Sequence, residues 1–270
     1  MIESTFQLAR GVGPGRERKL WSEGIARWCD FPATPASGRD RALRAAIDEA
    51  TDALGRRDAD RLAAMLPSSE HWRLFETFGD GAAYLDIETG DDVIGYAGIS
   101  AIGILDRHGP RLLLAGRDLH RFPELARDWP MLVTFNGRSF DVPILRRAFP
   151  DWQPPVCHVD LRHVLARLGH HGGLKAIERR LVSLALQRPA HLAGIDGWDA
   201  CWLYRRGIDG DREALRRFAE YNLYDVVNLR TLIGYAYNAS VAALGASARP
   251  VAVHGRGDVL YDISKILLAL

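Results

Sequence analysis

Cysteine and lysine are both scarce in this chain of 270 residues. The three cysteines, Cys29, Cys157 and Cys201, are odd in number and far apart, with no CxxC spacing, which excludes a disulfide framework and a cysteine-rich zinc cluster. No apolar run approaches the roughly 20 residues that span a membrane. The opening stretch MIESTFQLARGVGPGRERKLW lacks the continuous apolar core of a secretory signal. The expected setting is therefore soluble, reducing and cytoplasmic, without a membrane partner. Net charge is nearly absent too, at +1, so the overall balance points to no polyanion. Of the 35 basic side chains only Lys19, Lys175 and Lys265 are lysine. The rest are arginine, which suits planar, bidentate phosphate contact as well as an ordinary surface.

Apolar residues make up 47% of the chain, enough for one sizeable core. Residues 1–75 form a compositional zone of their own. GVGPGRERK and FPATPASGRD are Gly/Pro-rich loops, and RALRAAIDEATDALGRRDADRLAAML carries helical apolar spacing. We expect a helical extension there, a central domain over 76–235, and a C-terminal tail over 236–270 packed on that domain. From Ala82 the pattern changes. AAYLDI reads as a first strand, IGYAGISAIGIL and RLLLAG as two antiparallel neighbours joined near RHGP, MLVTF as a fourth, and PVCHVDL as a fifth. DLHRFPELARDW and SFDVPILRRAF read as helices between them. Four helical stretches follow, DLRHVLARL, LKAIERRLVSLAL, WDACWLYRRG and REALRRFAEYNLYDVVNLRTLIGYAYNAS. Three strands, a helix, another strand and then mostly helices predict an α/β fold with a mixed sheet.

The chemistry is concentrated in three acidic segments. In AAYLDIETG, Asp86 and Glu88 lie two apart on a strand and so share one face, with Ile87 on the other. Two bare carboxylates there are costly to desolvate, and their oxygens suit a hard divalent cation. Solvated turn acids share this pattern. In LVTFNGRSFDVPIL, Asp141 sits among Phe140, Val142, Ile144 and Leu145 after an Asn136–Gly137 turn, either as a first-turn helix charge or as a site residue. In AEYNLYDVVNL, Tyr221 and Asp225 are four apart and share one helix face.

With YLDIET, VTFNGRSFDVPIL and YNLYDV in this order, the chain resembles the DEDD (DnaQ-like) superfamily of 3′–5′ exonucleases on a ribonuclease H-like fold. The second motif is similar in detail to the exonuclease domains called YprB-type. The resemblance covers roughly Trp72 to Leu232. It implies a mixed sheet of three antiparallel strands plus parallel strands, flanked by helices. It also implies that Asp86, Glu88, Asp141 and Asp225 converge on two divalent ions, Mg²⁺ or Mn²⁺, one activating water and the other stabilising the leaving oxygen. Tyr221 falls where the tyrosine branch of the superfamily carries its water-orienting residue, and many YprB-type sequences have histidine at this place.

The implied activity is metal-dependent 3′–5′ exonucleolysis of single-stranded or frayed DNA or RNA. The alternatives are a non-catalytic adaptor on the same fold, binding nucleic acid or protein, and a structure-selective endonuclease. Around the second motif, Arg138, Arg146 and Arg147 are candidate phosphate contacts. Thr89 is either a contact to the terminal nucleotide or a strand-end cap. Asn136 contacts substrate or makes the turn, and Phe140 stacks on a base or packs in the core. His158, His163, His170 and His171 match no zinc spacing.

Overall fold

The computed structural model describes residues 1–90, 93, 95–246, 248–255, 265–268 and 270. Its centre is a five-stranded sheet in the order β3-β2-β1-β4-β5. The strands are β1 (Ala83–Thr89), β2 (Ile99–Asp106), β3 (Gly109–Leu114), β4 (Leu132–Thr134) and β5 (His158–Asp160). β1 to β3 form an antiparallel meander, whereas β4 pairs parallel with β1, and β5 parallel with β4. The N-terminal region supplies α1 (Pro14–Ser22), α2 (Gly38–Gly55), α3 (Ala59–Met65) and the short α4 (Phe75–Phe78). Between and after the strands come α5 (Phe122–Leu125), α6 (Asp141–Ala148), α7 (Leu161–Arg167), α8 (Leu174–Arg180), α9 (Gly197–Ile208) and the long α10 (Arg212–Leu244).

Alternation along β1 sorts the two faces of the sheet. Ala83, Leu85 and Ile87 join Ile102, Ile104 and Leu113 in a core closed by Phe122, Leu145, Phe149 and Trp152. The opposite face, carrying Tyr84, packs with Met131 and Val133 against Leu223, Val226 and Val227 of α10. Leu43 and Ile47 of α2 and Leu62 of α3 belong to that same core. A third cluster joins α9 and the start of α10 to Ala101 and Leu114. Helices therefore cover both faces of a mixed sheet, as expected.

Three expected elements are shortened or broken, each for a local reason. The second strand begins at Ile99 because Tyr96 and Ala97 turn at φ +42° and +54°, in the left-handed region that ends pairing. Ile94, also assigned to that strand, lies outside the described residues. The helix expected over 41–66 is two helices, broken at Arg57 (φ +54°) and restarted by Asp58, whose side chain accepts the Arg61 N–H at 2.9 Å. The helix expected from Leu174 to Leu186 stops at Arg180, and Ala185 turns in the left-handed region. That turn precedes Arg188, which reaches back to Glu178.

Buried polar contacts knit the N-terminal region together, and Glu70 carries them to the rest by accepting from Arg167 of α7 at 2.7 Å. The Arg73 guanidinium donates to both carboxylate oxygens of Glu17 at 2.9 Å and to Glu70 at 2.6 Å. Glu17 also accepts from the Phe6 N–H and the Gln7 amide, both at 2.8 Å. Among the described residues no helix is long and apolar enough to cross a membrane.

Candidate active site

The parallel strands β1 and β4 end on the same edge of the sheet, the position at which open α/β sheets present their ligands. Asp86 and Glu88 project from the β1 face that meets α10, and the register slips by one residue between Glu88 and Thr89. α10 comes down closely on this face. Opposite Asp86 stands Gly103, where a Cβ would lie 2.1 Å from the Asn222 side-chain oxygen. That close approach lets the Asn222 amide donate to the Asp86 carboxylate at 2.9 Å. One turn further, Asp225 completes the cluster. Carboxylate oxygens of Asp86, Glu88 and Asp225 lie within 4.8 Å of one another.

Asp141 opens α6, and its carboxylate accepts the Ile87 N–H at 3.1 Å. The structure thus groups three of the four expected acids and anchors the fourth to the strand between the first two. Burial, followed by the charges of Asp225, Asp141 and Glu88, raises the Asp86 carboxyl well above its usual range. Burial likewise pushes Glu88 up to about 8 and Asp141 up to about 7. Such a desolvated, all-carboxylate set is short of positive charge and fits hard divalent cations.

Two cations that the motifs do not contain enter the cluster. Arg188 pairs with Asp225 and, at 2.8 and 3.0 Å, with both oxygens of Glu178, which also accepts the Asn228 amide at 2.8 Å. Burial works against the Arg188 charge, but Asp225 and Glu178 outweigh it and raise its pKa. Lys175 donates to the Tyr221 hydroxyl and to the Ile195 carbonyl, with its ammonium 4.0 Å from the tyrosine ring centroid. Burial lowers the Lys175 pKa, against the pull of Asp225. Tyr221 is raised by burial first and by Asp225 second, so the phenol keeps its proton at neutral pH. A cleft of about 520 Å³ holds Asp86, Lys175, Tyr221 and Asp225 together.

A second cleft, of about 720 Å³, opens on Glu88 and Thr89 and is lined by Phe140, Arg147 and Trp198. The Thr89 carbonyl accepts from the Cys201 thiol at 3.0 Å, which ties the end of β1 to α9. Arg146 is exposed on α6 outside that lining. Asn136 is engaged in the turn. It sits at φ +67°, and its side-chain oxygen accepts from Arg162 at 2.6 Å. Arg138 is turned to the His158 carbonyl and lines a different cavity with Ser68, Trp72 and Asp160. The Asp160 carboxylate holds this turn, accepting the N–H groups of Asn136 and Arg138 at 2.8 and 3.1 Å. His158 bonds the Thr134 hydroxyl at 2.8 Å, and burial pushes its pKa down to about 3, the state of a neutral core histidine.

Asn222, Lys175 and Arg188 escape a reading of spacing. Asn222 stands beside Tyr221 in the third motif, and Lys175 is a lysine where the chain otherwise uses arginine, so each left a trace. Arg188 left none, because its loop lies far in sequence from every acid it meets except Glu178.

No curated protein and no solved structure matches the chain. The family model for the RNase H superfamily does match, over residues 83–237, from the first residue of β1 to the Tyr237 turn of α10. That span is more than half of the chain and holds the sheet and all four acids, and the protein belongs to the RNase H superfamily.

Proposed function

We propose that the protein is a metal-dependent 3′–5′ exonuclease that hydrolyses single-stranded or frayed DNA or RNA. Superfamily membership carries a nuclease-type activity on nucleic acid. The single observation that supports the finer reading is the grouping of Asp86, Glu88 and Asp225 within 4.8 Å, with the Asp141 carboxylate on the Ile87 N–H beside them. Asp86, Glu88 and Asp225 would hold Mg²⁺ or Mn²⁺, with Asp141 close enough to contribute charge. When bound, such ions supply charge stabilisation at the phosphoryl group and a water acidic enough to attack.

The chain's own residues do the rest. Asn222 fixes the orientation of the Asp86 carboxylate. Lys175 donates to the Tyr221 oxygen, so the phenol retains its own proton for donation toward the attacking water or the phosphate. Since burial keeps Tyr221 protonated, it positions rather than deprotonates. Lys175 and Arg188 bring positive charge to where a phosphate would sit.

One observation favours a second reading. Arg188 already neutralises Asp225, as a non-catalytic adaptor on this fold would require. Incubation of 5′-labelled DNA and RNA strands with Mn²⁺, Mg²⁺ or chelator separates the two. The expected outcome is a metal-dependent ladder of shortened strands from the parent and none from Asp86→Asn, with the fold retained. Internal fragments would indicate an endonuclease, and an intact strand with no metal-induced thermal shift would indicate the adaptor.

A further inference from the structure

α9 carries two apolar stripes at helical spacing. Ala200, Leu203, Tyr204 and Gly207 are buried against the start of α10 and the sheet. Trp198, Cys201, Trp202, Arg205 and Ile208 form the other stripe and line an outer cleft of about 520 Å³ with Gly90, Val93, Ser100, Ala115 and Gly116. Trp198 is 83% exposed and Trp202 54%, although tryptophan is highly buried on average. Phe140, at the start of α6, is 43% exposed. Packing within the described residues therefore accounts for neither Trp198 nor Phe140.

Both aromatics line the cleft that opens on Glu88 and Thr89. Gly90, Val93, Trp198 and Cys201 line that cleft and the outer one alike, so the two run into each other past the Trp198 ring. Arginine is interleaved with the aromatics. Arg147 stands in the wall of the first cleft and Arg205 in that of the second, while Arg206 lies over the Trp202 ring at 4.6 Å. Trp202 thus already has a stacking partner, which leaves Trp198 as the open platform.

We propose that this groove binds single-stranded nucleic acid, with Trp198 and Phe140 stacking on bases of the strand whose end lies at Glu88. The proposal rests on the nuclease reading above and adds to it the path of the strand. Aromatic faces beside arginines are the chemistry that grips a single strand without regard to sequence, because every base offers a π-face and every linkage a phosphate. A protein partner would use the same apolar stripe. Continuity with the acidic site is what favours the nucleic acid.

The test uses the full chain with Asp86→Asn as background, so that the strand survives, and reads fluorescence anisotropy of a 5′-labelled oligothymidylate, or of its RNA counterpart if that is what the parent degrades. Trp198→Ala should weaken binding by about 5- to 150-fold, the range that one stacked base contributes. Trp198→Phe should restore most of it. On the same strand made abasic at its 3′-terminal positions, Trp198→Ala should cost nothing further, the non-additivity expected of a ring and its own base. Because Trp198 is exposed, the melting temperature of the variant should equal the parent's.

Unchanged affinity, or an equal loss on the abasic strand, would overturn the stacking site while leaving the nuclease reading in place. A parent dimer that Trp198→Ala dissociates would give the face to a second copy and overturn it too. A parent that neither binds nor degrades any DNA or RNA strand with Mn²⁺ would overturn both.

Discussion

At the scale of single residues, the site is a concentration of like charge, held by the Asn222 amide and the Ile87 N–H and met by the Arg188 cation at Asp225. Glu88 ordinarily ionises near 4.5 and Asp141 near 3.8, yet burial holds them near 8 and 7. Between about pH 4 and pH 8 the unfolded chain therefore releases protons that the folded protein retains. These two groups make stability fall as pH rises through that window, their penalty complete above about pH 8. They outweigh the buried neutral His158, which works the other way only below about pH 6.5. On the proposed function, a bound divalent cation would take the place of those protons. The melting temperature without metal should decline from pH 5 to pH 8, and the upward shift on adding Mn²⁺ should be small at pH 5 and grow toward pH 8. Thermal melts at several pH values check this, and a metal shift that shrinks with pH would refute it. The period-2 spacing of Asp86 and Glu88 made their shared face legible in the sequence. Their desolvation was not legible, because it comes from α10, more than a hundred residues away.

Elements decide how close those residues come. α10 carries Tyr221, Asn222 and Asp225, and Gly103 in β2 sets its depth over the sheet. A methyl group on Gly103 would meet Asn222 at 2.1 Å and Val226 at 2.8 Å. Gly103→Ala should lift α10 and pull Asn222 from Asp86, destabilising the fold by about 1–3 kcal/mol, the usual cost of overpacking. Nuclease activity should fall further than this loss explains, and denaturant melts alongside rates of strand degradation would separate the two effects. Gly103→Ala with parental activity would mean that α10 has room to spare. Most strands and helices were visible as apolar periodicity. The misplaced boundaries at Arg57, Tyr96 and Ala185 all involve left-handed turns on residues other than glycine, asparagine or aspartate, so composition held no warning.

Considered as a whole molecule, the helices before β1 share the core of the sheet's α10 face, although their composition sets them apart. Within those helices the Arg73 guanidinium is the rivet. It is buried, and Glu17, 56 residues away in sequence, meets it with both oxygens. Glu17→Ala would strand that charge with Glu70 alone and leave the Phe6 N–H unbonded. Breaking a buried pair this way costs about 3–5 kcal/mol. A single, cooperative melt at lower temperature is expected, whereas two separate transitions would show that the N-terminal helices unfold on their own.

The scarcity of lysine has a practical side at the site. An amine-directed acylating reagent finds three side chains in the whole protein, and one of them, Lys175, lies in the cleft with Asp86, Tyr221 and Asp225. Burial lowers its pKa, so a larger share of it is the unprotonated, nucleophilic amine at a given pH. Covalent footprinting at that one nitrogen, read by mass spectrometry with and without a nucleic-acid strand, turns the cleft's occupancy into a mass difference on a single peptide.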